Sequence, residues 1–151
     1  MSVDISFVSV IIKPLRVAFA VDVSSRTTHE QMSGMLNFVS NTVKTFDNKN
    51  VKISLLTFHD ESKTIKTFDG STDKIKDSLD MIRNTDRRLS GSVRRLDTLF
   101  RVIDQQVFGG PNIKKKLDDA LVFILSTGKN NIFSFVSFDP RYNTYYLVFI
   151  I

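Results

Sequence analysis

The sequence predicts an α/β protein built on an open, mostly parallel sheet. Three observations point there. Two apolar runs, Val17-Ala-Phe-Ala-Val21 and Ala120-Leu-Val-Phe-Ile-Leu125, read as strands buried on both faces, the habit of central parallel strands. Each run ends in oxygen-bearing residues: Asp22 then Val23-Ser24-Ser25-Arg26-Thr27 after the first, and Ser126-Thr127-Gly128 after the second. Between the two, strand-like and helix-like patterns alternate, as β-α-β units require.

The segment from Met1 to Lys13 has a short apolar stretch, with Asp4 where a signal peptide would carry positive charge and no clear cleavage site after it. It reads equally as a strand or as a damaged leader. After the first central strand, Thr27-Thr28-His29-Glu30 matches a capping box with Thr27 as N-cap and Glu30 at N3. Met32, Met35, Leu36, Val39, Val43 and Phe46 then recur at steps of three and four, one apolar helix stripe that Asp47-Asn-Lys-Asn50 breaks. Val51 to Phe58 reads as a second strand and Lys63 to Phe68 as a third. The connection His59-Asp-Glu-Ser62 is too short for a parallel crossover, so this pair is antiparallel, and Lys63 and Lys66 suit an exposed edge.

Asp69-Gly70-Ser71-Thr72 reads as a turn and helix start, and Ile75, Leu79 and Ile82 form the stripe of a short helix. An Arg-rich loop runs to Gly91-Ser92. A further helix carries Val93, Leu96, Leu99, Phe100, Ile103 and Val107, and Gly109-Gly110-Pro111 ends it. After Gly128 the chain changes character. Ile132 to Phe138 alternates apolar residues with serine, Asp139 to Asn143 is turn-like, and Thr144 to Ile151 is apolar, together a hairpin. The order β-α-β-β-α-α-β gives a Rossmann-like open sheet with one antiparallel edge strand and helices on both faces. The C-terminal part is atypical, since a helix is expected after the strand that ends at Leu125.

Composition fits this class: of 151 residues, 42% are hydrophobic and 25% charged, which excludes a disordered chain. The absence of cysteine excludes disulfides, thiol catalysis and thiolate metal sites. No segment has the ~18 continuous apolar residues of a membrane-spanning helix. The net charge of +5 is concentrated in Arg83, Arg87, Arg88, Arg94, Arg95, Arg101 and Lys114-Lys115-Lys116. Such a cluster suits either an anionic partner or a solvated helix face and loop, and the second reading is preferred.

Catalytic patterns are missing. His29 and His59 are the only histidines, one near a helix start and one in a tight turn, and neither sits in a nucleophile arrangement. His59-Asp60-Glu61 reads as a polar turn, because three adjacent residues on a tight turn rarely converge on a metal. Gly109-Gly110-Pro111 and Gly128-Lys129-Asn130 lack the residues of a phosphate loop. What remains is the carboxylate and hydroxyl group at Asp22. Oxygen-only ligands at the C-terminal end of a parallel strand suggest a hard cation such as Mg²⁺.

The stretches Val17 to Ser24, Val51 to Asp60, Ser71 to Ile82 and Leu121 to Gly128, in this order, resemble a von Willebrand factor A domain, the integrin inserted-domain type. The resemblance spans residues 16 to 128. It implies domain limits of 1–128, with a divergent hydrophobic tail at 129–151. It also implies that two strands and two helices are missing after Gly128, a truncation that would leave the strand at 120–125 without a neighbour on one side.

The resemblance further implies a metal-ion-dependent adhesion site, with an Asp-x-Ser-x-Ser first loop, a threonine from the second loop and an aspartate at the third strand end. Asp22 and Ser24 match the first two positions; Arg26 stands in place of the third. Ser92 is the candidate for the threonine, and Thr127 replaces the last aspartate. One carboxylate of two remains, and a fixed cation enters the loop. The expected site is therefore degenerate, binding Mg²⁺ weakly or not at all, with Arg26 paired to Asp22.

The expected function is a non-enzymatic protein-interaction or adhesion module with no small-molecule substrate. Ser25, Arg26 and Ser126 would form a rim that meets an acidic residue of a protein ligand. An extracellular setting follows from the resemblance alone. The alternative is a basic intracellular A-domain protein associated with nucleic acid. A hydrolase is the least favoured reading.

Overall fold

The apolar run around Phe19 forms β1 (Leu15–Asp22), and the stripe that follows forms α1 (His29–Thr45). The chain continues through β2 (Val51–Phe58), β3 (Ser62–Asp69), α2 (Ile75–Arg83) and α3 (Leu96–Val102), which runs on into a π-helical turn over Ile103–Val107. It ends with β4 (Asp119–Ser126), β5 (Phe133–Asp139) and β6 (Thr144–Ile150). The computed structural model describes residues 15–46, 51–69, 75–84, 91, 94–107, 119–127, 133–139 and 144–150. Gly70 to Thr72, Ser92, Val93, Gly109 to Pro111 and the segment before Leu15, on which expectations were placed, lie outside them.

The six strands form one sheet in the order β3-β2-β1-β4-β6-β5. β1 lies parallel to both β2 and β4, so the two dry strands foreseen from composition are neighbours at the centre. β6 is parallel to β4, with Ala120 beside Thr144 and Ser126 beside Ile150. β3 runs antiparallel to β2, and β5 antiparallel to β6. The expectation of a single antiparallel edge is thus corrected: both edges are antiparallel. Each reversal follows from a short connection, 59–61 on one side and 140–143 on the other. The expectation that the strand at 120–125 lacks a neighbour is also overturned. β6 covers that flank of β4, and two strands follow residue 128.

Alternation along β1 divides the core between the two faces. Val17, Phe19 and Val21 point to the side covered by α1 and α2, against Met32, Met35, Leu36, Val39, Val43, Ile75, Leu79 and Ile82. Ala18 and Ala20 point to the other side, where Leu99 and Ile103 pack with Leu56, Phe58, Val122 and Ile124. The first face is filled by rings: Phe19 stacks on Phe123 at 5.0 Å, and Phe38 meets Phe123 edge-on at 5.9 Å. The second has alanines at its centre. Each fully buried apolar side chain is worth about 1.5–3 kcal/mol relative to exposure.

Two local expectations shift. The cap of α1 is Thr28, not Thr27: the Gln31 N–H donates to Thr28 Oγ1 at 3.1 Å, and the Thr28 N–H donates to Gln31 Oε1 at 2.9 Å. The box is displaced by one residue because the Thr27 hydroxyl is used elsewhere, donating to the Asp22 carbonyl at 3.3 Å. On α3 the stripe splits. Leu99 and Ile103 are fully buried, whereas Leu96 and Phe100 are 44% and 41% exposed at the flank. Phe100 there meets Tyr146 of β6 edge-on at 5.4 Å.

Candidate functional site

Parallel pairing decides where the site lies. Val21 is in register with Leu125 and Asp22 with Phe58, so β1, β2 and β4 end at one rim. The C-terminal ends of parallel strands are where open sheets hold their ligands. Asp22 is fully buried there. Its Oδ1 accepts the Ser24 N–H at 2.8 Å. Its Oδ2 accepts the Ser126 hydroxyl at 2.8 Å and the Thr127 N–H at 3.4 Å.

The loop after β1 is folded tightly around this carboxylate. Thr27 N–H donates to the Ser24 carbonyl at 3.0 Å, and Val23 N–H to the Phe58 carbonyl at 2.9 Å. Two further segments are laced to it. Ser25 N–H donates to the Gly91 carbonyl at 3.2 Å, and Arg95 N–H to the His59 carbonyl at 2.8 Å. A side chain at position 91 would come within 3.0 Å of the Asp60 carboxylate, so glycine permits this close approach. Asp60 in turn is in close contact with the ring of His59.

The cation that meets Asp22 is Arg94. Its Nε lies 2.5 Å from Asp22 Oδ2, with the Asp22 side chain inaccessible and that of Arg94 22% exposed. The N–H is not aimed at the oxygen, so this contact is an ion pair and not a hydrogen bond. One terminal nitrogen of the same guanidinium donates to Thr127 Oγ1. The expected pairing of Arg26 with Asp22 is therefore corrected. The turn from Ser24 to Thr27 leaves Ser25 and Arg26 exposed, and Arg94, just before α3, reaches the carboxylate instead. Sequence reasoning missed Arg94 because it sat in a basic cluster read as a solvated face. The available signal was its place two residues after Ser92.

Of the residues singled out, Asp22, Ser24, Ser126 and Thr127 come together; Ser92 lies outside the described residues. The rest of the Arg cluster is partly neutralised. Arg83 pairs with Asp80 at 2.8 Å and Arg95 with Asp97 at 2.7 Å. The hydrogen bond between the latter two holds the Asp97 carboxyl below its ordinary range and raises the Arg95 guanidinium.

Among the described residues the donor set does not fit a divalent cation. Hard cations take several oxygens, usually with more than one carboxylate. Asp22 is one carboxylate, both of its oxygens are engaged, and a guanidinium touches it. Among the described residues no three His, Asp or Glu side chains gather. One atom points the other way: Ser24 Oγ is buried and has no hydrogen-bond partner among the described residues.

Comparison with known proteins bears on this rim. Residues 17–142 match the von Willebrand factor type A domain. No curated protein sequence matches the chain. Among solved structures, proximal thread matrix protein 1 from the mussel byssus superposes with a TM-score of 0.54 at 22% identity, over 79% of this chain and 32% of that one. A form of the same protein described as having a zinc-occupied MIDAS motif gives a TM-score of 0.53 at 21% identity, over 79% and 32%. BatB from Bacteroides thetaiotaomicron gives 0.54 at 11% identity, over 74% and 53%. At such identities the likeness is one of fold. The chain spans about a third to a half of the length of these proteins.

Proposed function

The chain belongs to the von Willebrand factor type A domain family, and on that premise we propose that it is a non-enzymatic protein-interaction module whose binding of divalent metal is weak or lost. One observation carries the reading. Among the described residues, one carboxylate, that of Asp22, lies at the strand ends where this fold would hold a cation, and it is buried against Arg94 at 2.5 Å. Among the described residues, Ser25 and Arg26 are exposed on the same rim. Arg26 is the group that reaches an acidic side chain of a protein ligand, through a charge-assisted contact of the kind guanidinium groups make with carboxylates. Ser126 contributes differently than expected, since its hydroxyl is spent on Asp22. The matrix-protein likeness of the fold supports an extracellular, adhesive setting.

No nucleic-acid reading is favoured. Three arginines of the basic cluster, Arg83, Arg94 and Arg95, are each paired with a carboxylate, which reduces what they offer to phosphates.

The test is binding of the folded chain to purified matrix proteins and to acidic peptides, with EDTA and with Mg²⁺. Binding that is indifferent to EDTA and weakened at least tenfold by Arg26→Glu is the expected result. Binding that strictly requires Mg²⁺ would overturn the metal-independent reading. Failure to bind any acidic partner would overturn the proposed rim.

A further inference from the structure

We infer that the Arg94 guanidinium is the resident cation of this domain, standing where a divalent metal would stand, so that the rim takes up metal only when Arg94 is removed and a second carboxylate is supplied. The inference rests on the family reading above and goes beyond it by assigning the replacement to one side chain on a different loop.

Three features of the rim carry it. First, Arg94 bridges two of the residues expected to surround a metal: its Nε is 2.5 Å from Asp22 Oδ2, and a terminal nitrogen donates to Thr127 Oγ1. A divalent ion placed on those two oxygens would collide with the guanidinium, in space and in charge. Second, the Asp22 carboxylate is fully buried, and a buried carboxylate needs a compensating positive charge. Arg94 supplies it from within the chain. Third, Ser24 Oγ is buried beside this carboxylate with no hydrogen-bond partner among the described residues, although the Ser24 N–H is bonded to Asp22 Oδ1 at 2.8 Å. Buried hydroxyls are normally satisfied. An oxygen held at the loop but left unbonded by the guanidinium is what remains when a many-armed metal ion is exchanged for a cation that offers donors in one plane only.

The replacement changes how the rim answers its surroundings. A bound metal can be removed by chelation; a guanidinium remains charged throughout the physiological range. The rim is then assembled permanently, because Arg94 ties the start of α3 to the ends of β1 and β4 without any ion.

The experiment compares the parent chain with Arg94→Ser/Thr127→Asp, which removes the guanidinium and adds a second carboxylate. Titration calorimetry with Mn²⁺ and with Mg²⁺ is the readout, with thermal melting in EDTA and in Mn²⁺ as a second measurement. The parent is expected to show no saturable binding up to about 10 mM, beyond the millimolar end of natural cation sites, and no shift in melting temperature. The double variant is expected to bind Mn²⁺ saturably and to melt higher with it. Adding Asp22→Asn should abolish both effects. If the parent binds Mn²⁺ and Asp22→Asn removes that binding, both the family-site reading and this inference fall. If the parent is silent and a folded double variant is silent too, only this inference falls. Should the double variant not fold, Arg94→Lys decides. It keeps the charge and must fold and ignore Mn²⁺; saturable Mn²⁺ binding by Arg94→Lys would overturn the assignment.

Discussion

Arg94 Nε lies 2.5 Å from Asp22 Oδ2, joining a residue just before α3 to the end of β1. Breaking a buried pair from one side leaves an uncompensated charge and costs about 3–5 kcal/mol. Arg94→Ala should therefore lower stability by about 3 kcal/mol in urea denaturation, at the lower end because the side chain is partly exposed. Arg26→Ala should change it by less than about 0.5 kcal/mol, as surface substitutions do. Equal effects of the two variants would show that Arg94 does not hold the carboxylate.

Thr27 and Thr28 have different tasks, and the two can be separated. Thr28→Ala removes the cap of α1 and should cost about 1 kcal/mol. Combining it with Gln31→Ala should cost less than the sum, since both belong to one reciprocal box. Glu30→Ala should leave the cap intact. Thr27→Ala should cost about 0.5–1.5 kcal/mol through loss of the bond to the Asp22 carbonyl, with no loss of helix signal by circular dichroism.

The ring stack at the sheet's centre sets a further expectation. Phe19 is fully buried and stacks on Phe123 at 5.0 Å. Phe19→Ala should cost about 3–5 kcal/mol. A double-mutant cycle with Phe123→Ala should give a coupling of about 0.5–1.5 kcal/mol. A coupling near zero would show that the rings merely share a cavity.

The tail from 129 onward is proposed to be an integral part of the domain. Val148 is 9% exposed and lies beside Ile124 of β4. Val148→Asp places a charge against that apolar cluster and should cost at least about 3 kcal/mol. An independent tail would leave the melting temperature unchanged.

Acid should loosen the start of α3. Asp97 sits in its first turn, and its hydrogen bond to Arg95 holds the carboxyl below the ordinary value. A group whose pKa is depressed by folding contributes stability above its unfolded pKa and loses it as pH falls through the folded one. The Arg95–Asp97 pair is exposed, so the effect on global stability is small. NMR titration should show Asp97 protonating at lower pH than a free aspartate, and Arg95→Gln should move it back up. An Asp97 that titrates normally in the parent would remove this contact from consideration.

The sequence by itself determined the strands, the helices and the rim. Val17 to Val21 and Ala120 to Leu125 are apolar on both faces, and only a central position satisfies that. The stripe from Met32 to Val43 fixed α1 through its period alone. Asp22, Ser24 and Thr127 were legible as a group because strand ends in a parallel sheet share a side, whereas Ser126, expected on the partner-facing rim, bonds Asp22. Tertiary structure decided the rest. Whether Thr27 or Thr28 caps α1 depended on the Asp22 carbonyl claiming one hydroxyl, a bond within the loop after β1 that follows from how that loop folds and not from helix periodicity. Which arginine met Asp22 depended on where the fold places the residues before α3, since Arg26 and Arg94 carry the same charge and only one is delivered to the carboxylate. The partner of β4 depended on a chain reversal that sends β6 back beside it. Periodicity reports how a residue lies relative to its own helix or strand; pairings between distant segments arise only once the sheet is assembled.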